Sequence, residues 1–221
     1  MLVSCICPTK DRAHLIPQMI ASYQSQTWPE KELIILDDSD GLLPLSLENT
    51  IFDDPSITYL TSDPMNIPEK RNILVSLSRG QVIAHFDDDD WSTSDRIETQ
   101  LALLEESGAM LVGYHSLLFW YGAKCQGWKY LGSKAYICGT SMVYHRELWE
   151  EFKFPETHAK GSDNEVTYRA SRAGKSASAD GDQYLVARMH DGQTQNTRNS
   201  IDSTNWAPIP REQFPEAFFR A

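Results

Sequence analysis

Over the first half of the chain, short apolar runs alternate with apolar residues at helical spacing, and each run stops at polar residues. Leu2 to Cys7 reads as a buried strand closed by Pro8-Thr9. His14 to Gln26 carries Leu15, Ile16, Met19, Ile20 and Tyr23 at helical spacing, with Pro17 in the first turn and Trp28-Pro29 as the stop. Glu32 to Leu36 is a second strand, ended by Asp37-Asp38 and the turn Ser39-Asp40-Gly41, and Ile57 to Leu60 is a third. Asn66 to Arg79 reads as a helix with Pro68 in its first turn, Ile73, Leu74 and Leu77 inward and Gly80 as its stop. Val82 to Phe86 is the fourth strand. Ser94 to Ser107 is a helix with Ile97, Leu101 and Leu104 on one face and Gly108 after it.

Four strands alternating with helices predict an α/β fold with a doubly wound, mostly parallel sheet. Ligands bind such sheets beyond the carboxyl ends of the strands. Pro8-Thr9-Lys10-Asp11, Asp37-Asp38 and Asp87-Asp88-Asp89-Asp90 therefore fall along one rim.

The second half is less regular. Met110 to Tyr121 reads as a strand, with Trp120-Tyr121-Gly122 opening an aromatic hairpin through Trp128 and Tyr130. Tyr136 to Tyr144 reads as a strand containing Gly139-Thr140-Ser141, and Arg146 to Phe152 as a short helix. A helix starts at Ser162-Asp163-Asn164-Glu165, runs to Arg172 and stops at Gly174. Tyr184 to Met189 is a last strand, ahead of His190-Asp191-Gly192. The tail, rich in Asn, Thr and Pro, either folds over the site or is mobile.

With 221 residues, 41% apolar and 23% charged, the chain is long enough to bury a core without disulfides or structural metal. A formal charge of −11 argues against a nucleic-acid or anionic-membrane surface. An anionic ligand such as a pyrophosphate would need a local cation. Cys5, Cys7, Cys125 and Cys138 lack zinc-site spacing and read as small buried residues of a reducing, cytoplasmic setting. Met1 leads into a run too short and uncharged at its start for an export segment, and no stretch has the apolar length of a membrane span.

The four consecutive acids at Asp87 to Asp90 have two readings. Adjacent carboxylates at a strand end repel one another unless a cation lies among them, and hard oxygen ligands suit Mg²⁺ or Mn²⁺. A solvated acidic loop is the alternative, but this run abuts a buried-looking strand. The glycine-rich fingerprint of a dinucleotide fold is missing after the first strand, where Pro8-Thr9-Lys10-Asp11-Arg12 stands, and no Walker-type loop is present.

Val3-Ser4-x-Ile6-x-Pro8-Thr9-x-x-Arg12, the strand ending Asp37-Asp38-Ser39, Lys70-Arg71-Asn72, Phe86 with Asp87 to Asp90, and Ser162-Asp163-Asn164-Glu165 followed by Arg169 and Gly174 occur in that order. Together they resemble a family 2 glycosyltransferase with the GT-A fold. The resemblance is dense to about Leu104 and thinner from Leu111 to Phe154. It implies a single GT-A domain. A Rossmann-like nucleotide-sugar-binding half would span residues 1–108, and a mixed-sheet acceptor-binding and catalytic half residues 109–221. It also implies a divalent metal and a nucleoside diphosphate sugar donor, most often a UDP-sugar.

Residue by residue, Pro8, Thr9 and Asp11 match the loop that lies against the nucleoside, and Asp38 matches the acid facing the base. Arg71 falls in a segment near the nucleotide. Asp87 and Asp89 match the outer acids of the metal motif, with Asp88 between them on the nucleotide side. Lys10 and Asp11 stand where the family commonly has Tyr-Asn, so base or ribose contacts are expected to differ.

Asp163 is the candidate general base for an acceptor hydroxyl. Ser162-x-x-Glu165 is equally a capping box, whose first turn favours an acid anyway. His190 is either a third metal ligand, suited to Mn²⁺, or an isolated histidine. The aromatic hairpin either stacks on an acceptor sugar or is edge packing. The expected function is metal-dependent, inverting transfer of a sugar to a hydroxyl acceptor, a glycan or small molecule, in surface-glycan synthesis. A nucleotidyltransferase and a non-catalytic nucleotide-sugar-binding protein are the alternatives.

Overall fold

A computed structural model describes residues 1–40, 51, 53–157, 161–190 and 204–220. Its first half runs β1 (Val3–Thr9), α1 (Ile16–Gln24), β2 (Lys31–Asp37), β3 (Ile57–Thr61), α2 (Ile67–Leu77), β4 (Val82–His85), β5 (Trp91–Ser92) and α3 (Arg96–Ser107). The second half runs β6 (Leu111–Tyr121), β7 (Gln126–Leu131), β8 (Val143–His145), α4 (Arg146–Glu151), α5 (Ser162–Arg172), β9 (Ser176–Asp180), β10 (Leu185–Met189) and β11 (Trp206–Ile209).

These strands form one mixed sheet whose main path is β11-β7-β6-β8-β4-β1-β2-β3, with β9 and β10 joining at β6. Strands β3, β2, β1 and β4 are parallel, and β8 reverses direction against both β4 and β6. The expected parallel half and mixed half are thus both present. The chain steps from β1 outward to β2 and β3, then returns to place β4 on β1's other side. A doubly wound sheet opens its crevice at that reversal.

The first strands read as continuous apolar runs because both their faces are covered. Val3, Cys5, Cys7, Leu33, Ile35, Val82 and Ala84 pack against α1 and α3, meeting Ile16, Met19, Ile20, Ile97 and Leu101. Ile6, Ile34, Leu36 and Ile83 face the other way, onto Leu74, Val75, Leu148, Trp149 and Val166.

A buried carboxylate ties the amino ends of these strands. Glu32 accepts from Ser4 Oγ at 2.6 Å and from the Arg79 backbone N–H and Nε, each at 2.7 Å. Gly80 N–H donates to the same Ser4 hydroxyl at 2.8 Å, and a Cβ at Gly80 would stand 2.6 Å from that oxygen. Burial pushes the Glu32 pKa up, but the bonds from Ser4 and Arg79 outweigh it and hold it below the usual range. A depressed native pKa means stability that is present above the unfolded value and lost as pH falls through the folded one. Arg79 is largely exposed, so the low end of a charged hydrogen bond applies. Glu32→Gln is expected to cost about 1.5 kcal/mol in urea unfolding at neutral pH. That deficit should shrink as pH falls below about 4.

Four expectations need correction. Cys125 is exposed and not a small buried residue, because it caps the 3-10 turn Gly122–Lys124 at the tip of the β6–β7 hairpin. Ile73 and Leu77 are not inward: they are 36% and 50% exposed, while Lys70, Arg71, Leu74 and Val75 form the buried face of α2. The phase of α2 is set by a capping box at Asn66 and Glu69 and by Asn72, which accepts from Trp149 Nε1 at 2.9 Å and from Phe154 N–H at 3.1 Å. Tyr136 to Tyr144 is not one strand: a 3-10 turn at Gly139–Ser141 interrupts it and only Val143–His145 pairs with β4. The capping box at Ser162 does not form. Gly161, at φ 75°, precedes α5 without a side-chain cap, and Ser162 and Asp163 lie inside the first turn, buried.

Candidate active site

Beyond β1 and β4, at the reversal point, the four acids part company. Asp87 Oδ1 lies 3.7 Å from Arg71 Nη2. Asp88 accepts from Thr9 Oγ1 at 2.5 Å on one oxygen and lies 3.1 Å from Arg12 Nη1 on the other. Asp89 Oδ2 meets two donors, Arg12 Nη1 at 2.8 Å and His190 Nε2 at 2.9 Å. Asp90 turns inward, accepting from Thr140 Oγ1 and from the Arg188 N–H at 3.2 Å.

This packing leaves the cluster short of positive charge. Burial, and after it the charge of Asp89, pushes Asp88 up to about 7 and Asp90 well above the carboxylate range. Asp87 is raised as well, by burial first, although Arg71 opposes the shift. A solvated acidic loop would not behave this way.

The neighbouring strand end forms the second wall. Asp38, 1% exposed, pairs with Lys70 Nζ, accepts from Met65 N–H at 2.9 Å and lies 3.7 Å from Lys10 Nζ. Lys70 also donates to the carbonyl of Thr9 at 2.7 Å, which ties α2 to the end of β1. Burial raises the Asp38 pKa and the Lys70 and Met65 bonds more than reverse it, so this carboxylate stays charged. Asp11 sits exposed at φ 55° and donates its N–H to Ser39 Oγ at 2.6 Å. Pro8 is buried in β1 beside them. Arg71 is 6% exposed, its guanidinium 5.7 Å over the Phe154 ring.

The third wall comes from the second half. Asp163, in the first turn of α5, is 9% exposed and rests on Gly139 so closely that a Cβ there would stand 1.7 Å from its Oδ2. The turn carrying Gly139 is held on all sides. His85 Nδ1 is 2.8 Å from the Gly139 carbonyl, Arg96 Nη2 donates to the Thr140 carbonyl at 3.0 Å, and Gln100 donates to that of Ser141 at 2.7 Å. Burial, and then Arg71, drives the His85 pKa far down, so a neutral ring donates to Gly139. Through Thr140 the same turn grips Asp90. Asp163 and the acidic run thus share one rigid support.

Sequence reading missed Lys70, Arg12, His85, Gly139 and Thr140 as parts of this site. Lys70 and Arg12 stood in the motifs without a role. The contacts of the other three cross long stretches of chain and leave no local signal.

Among the aromatic residues, packing accounts for Trp120, which meets Phe214 and Phe219 at 5.2 and 5.0 Å between ring centres. Tyr130 packs on Trp206 at 5.0 Å. Of the tail, residues 206–209 extend the sheet beside β7, and Phe214 and Phe218 cluster with Trp91 and Trp120. Residues 191–203 and 221 of the tail lie outside the described residues. Among the described residues no three His, Cys, Asp or Glu side chains converge as a ready-made metal site. Asp89 and His190 do converge, and they are the pair that could hold an ion.

Residues 4–118, just over half the chain, match the family described as Glycosyl transferase family 2. The chain belongs to that family of glycosyltransferases. Over 150 residues it is 32% identical to a putative colanic acid biosynthesis glycosyl transferase, WcaA, of Escherichia coli K12, covering 67% of this chain and 52% of that one. It therefore spans about half the length of that relative. Its fold is the GT-A fold of S. aureus TarS, solved with UDP-GlcNAc, at a TM-score of 0.71 and 16% identity over 88% of this chain and 60% of TarS. A mannosyltransferase from Pyrobaculum calidifontis, solved with GDP-Man and Mn²⁺, superposes with a TM-score of 0.65 at 16% identity, covering 85% of this chain and 56% of that one. No helix among the described residues is long and apolar enough to cross a membrane.

Proposed function

We propose that this chain transfers a sugar from a nucleoside diphosphate sugar, a UDP-sugar in the first instance, to a hydroxyl acceptor, with inversion and with a divalent metal. The observation that carries the reading is the return of His190, at the end of β10, to within 2.9 Å of Asp89 in the acidic run. An imidazole and a carboxylate at that separation suit Mn²⁺, with further positions left to waters and to the donor's phosphates. The charge-poor acid cluster favours a cation at the same place.

The chemistry a divalent ion supplies when bound is Lewis-acid stabilisation of the departing diphosphate. The protein supplies the rest. Pro8, Thr9, Asp11 and Asp38 frame the nucleoside at the ends of β1 and β2, where the Lys10 and Lys70 charges offset that of Asp38. Asp88 fixes the floor by gripping Thr9, and Arg71 lies against Asp87 to face the phosphates. Asp163 takes the proton of the acceptor hydroxyl, which attacks the anomeric carbon opposite the leaving diphosphate. Residues 1–108 then serve the donor and 109–221 the acceptor. The UDP-GlcNAc in TarS and the GDP-Man with Mn²⁺ in the mannosyltransferase support such a donor and metal. The likeness to a putative colanic acid biosynthesis glycosyl transferase supports an acceptor in surface-glycan assembly, with the cytoplasm as the proposed setting.

The direct test follows what is released when donor and acceptor are supplied together. Acceptor-dependent release of a nucleoside diphosphate is expected. Release of pyrophosphate when a nucleoside triphosphate and a sugar phosphate are supplied instead would make the protein a nucleotidyltransferase, and donor binding with no release in either assay would make it a binding protein. Asp89→Ala is expected to bind UDP with an affinity that no longer responds to Mn²⁺ in calorimetric titration. A full Mn²⁺ response in that variant would remove Asp89 as the ligand.

A further inference from the structure

We propose that Arg12 is an internal counter-cation of the donor site: it clamps Asp88 to Asp89 until metal and diphosphate arrive together, then moves from Asp89 to the diphosphate. The inference rests on the metal-dependent reading above and adds a residue and a coupling that the reading does not contain.

One nitrogen, Arg12 Nη1, sits between the two acids, 3.1 Å from Asp88 Oδ1 and 2.8 Å from Asp89 Oδ2. That second oxygen also faces His190 Nε2 at 2.9 Å. A carboxylate oxygen has two lone-pair directions, and here both are taken. An ion that uses Asp89 Oδ2 together with His190 Nε2 takes the direction that His190 now holds and stands beside Nη1 on the same oxygen, where the two cations repel and Nη1 is driven aside.

Displacement has a cost that depends on what comes with the metal. The Arg12 side chain is 15% exposed, and a guanidinium cannot shed its charge. Taking one of its two paired anions away in a partly buried site is unfavourable. Asp88 retains one contact, but Asp89 is lost to the metal. A diphosphate restores the balance, because its oxygens match the guanidinium fork and reach the site with the same metal. Metal alone costs Arg12 one of its two anions; metal with diphosphate replaces it. The two ligands should then bind cooperatively, and cooperativity between sites is reciprocal.

The experiment measures free Mn²⁺ by electron paramagnetic resonance during titration of the protein, with and without UDP, and no acceptor or turnover. Arg12→Met keeps the length and removes the charge. Mn²⁺ alone is expected to bind this variant about tenfold more tightly than the wild type, and the gain on adding UDP, which keeps the part due to phosphate on the metal, should be about tenfold smaller than in the wild type. Mn²⁺ binding that is no tighter in Arg12→Met, or a UDP gain equal to that of the wild type, overturns the proposal and leaves the metal reading standing. A wild-type protein that binds no Mn²⁺ even with UDP overturns both. If Arg12→Met does not fold by circular dichroism, Arg12→Gln, which keeps a donor for Asp88 without the charge, carries the same comparison.

Discussion

Asp163→Asn is expected to stop transfer while leaving donor binding nearly unchanged. The amide has the shape of the carboxylate and can rest on Gly139 in the same way, so packing around the first turn of α5 should survive. What is lost is the carboxylate that the second half brings near Asp87 and that, among the described residues, pairs with no cation in the proposed scheme. A positioned general base contributes about 10²–10⁴ in rate. Acceptor-dependent UDP release should fall by about 10³, while the UDP affinity measured with Mn²⁺ stays within about twofold, since the diphosphate never meets this residue. An Asn variant with wild-type turnover would return Asp163 to the role of an acid at a helix start, where the dipole favours one in any case. The acids of the run cannot substitute for it. Each is already engaged, Asp87 by Arg71, Asp88 by Thr9 and Arg12, Asp89 by Arg12 and His190, and Asp90 by Thr140.

What was legible in the sequence, and what was not, follows from the range of the forces involved. The rim of the sheet was readable because each buried strand ends abruptly at charge, as Leu36 does at Asp37 and Phe86 at Asp87. Helix α3 was readable because its inward residues Ile97, Leu101 and Leu104 are apolar. Helix α2 was readable as a helix but its inward face was not, because periodicity assumes that apolar residues face inward. Its buried face carries Lys70 and Arg71, which are drawn in by Asp38 and Asp87 from other strands, and Ile73 and Leu77 are left outside. The Gly139 turn was hidden for the opposite reason. Ile137, Cys138, Met142 and Val143 supply an apolar run that looks like a strand, and what breaks it is a set of hydrogen bonds from His85, Arg96 and Gln100, all distant in the chain. Strand β9, Ser176 to Asp180, is polar and half-buried and gave no pattern at all.

Gly139→Ala should have an effect nearly as large as removing the base, through geometry alone. The new Cβ would be built 1.7 Å from Asp163 Oδ2 and 2.6 Å from its carboxyl carbon, so one partner has to move. The turn is anchored by His85, Arg96, Gln100 and the Thr140–Asp90 contact, whereas Asp163 hangs from the end of a helix. Asp163 therefore gives way, by more than an ångström. A displacement of that size costs about 10² in rate, and over-packing costs about 1–3 kcal/mol of stability. Thermal melting and turnover check the two losses separately. Asp163→Asn provides the control that ties the rate loss to the base. In that background Gly139→Ala should still lower stability, because Asn fills the same space, but it should slow the residual reaction no further, because no base is left to displace. Equal rate losses in both backgrounds would instead mean that the alanine acts through Thr140 on Asp90 and the donor side.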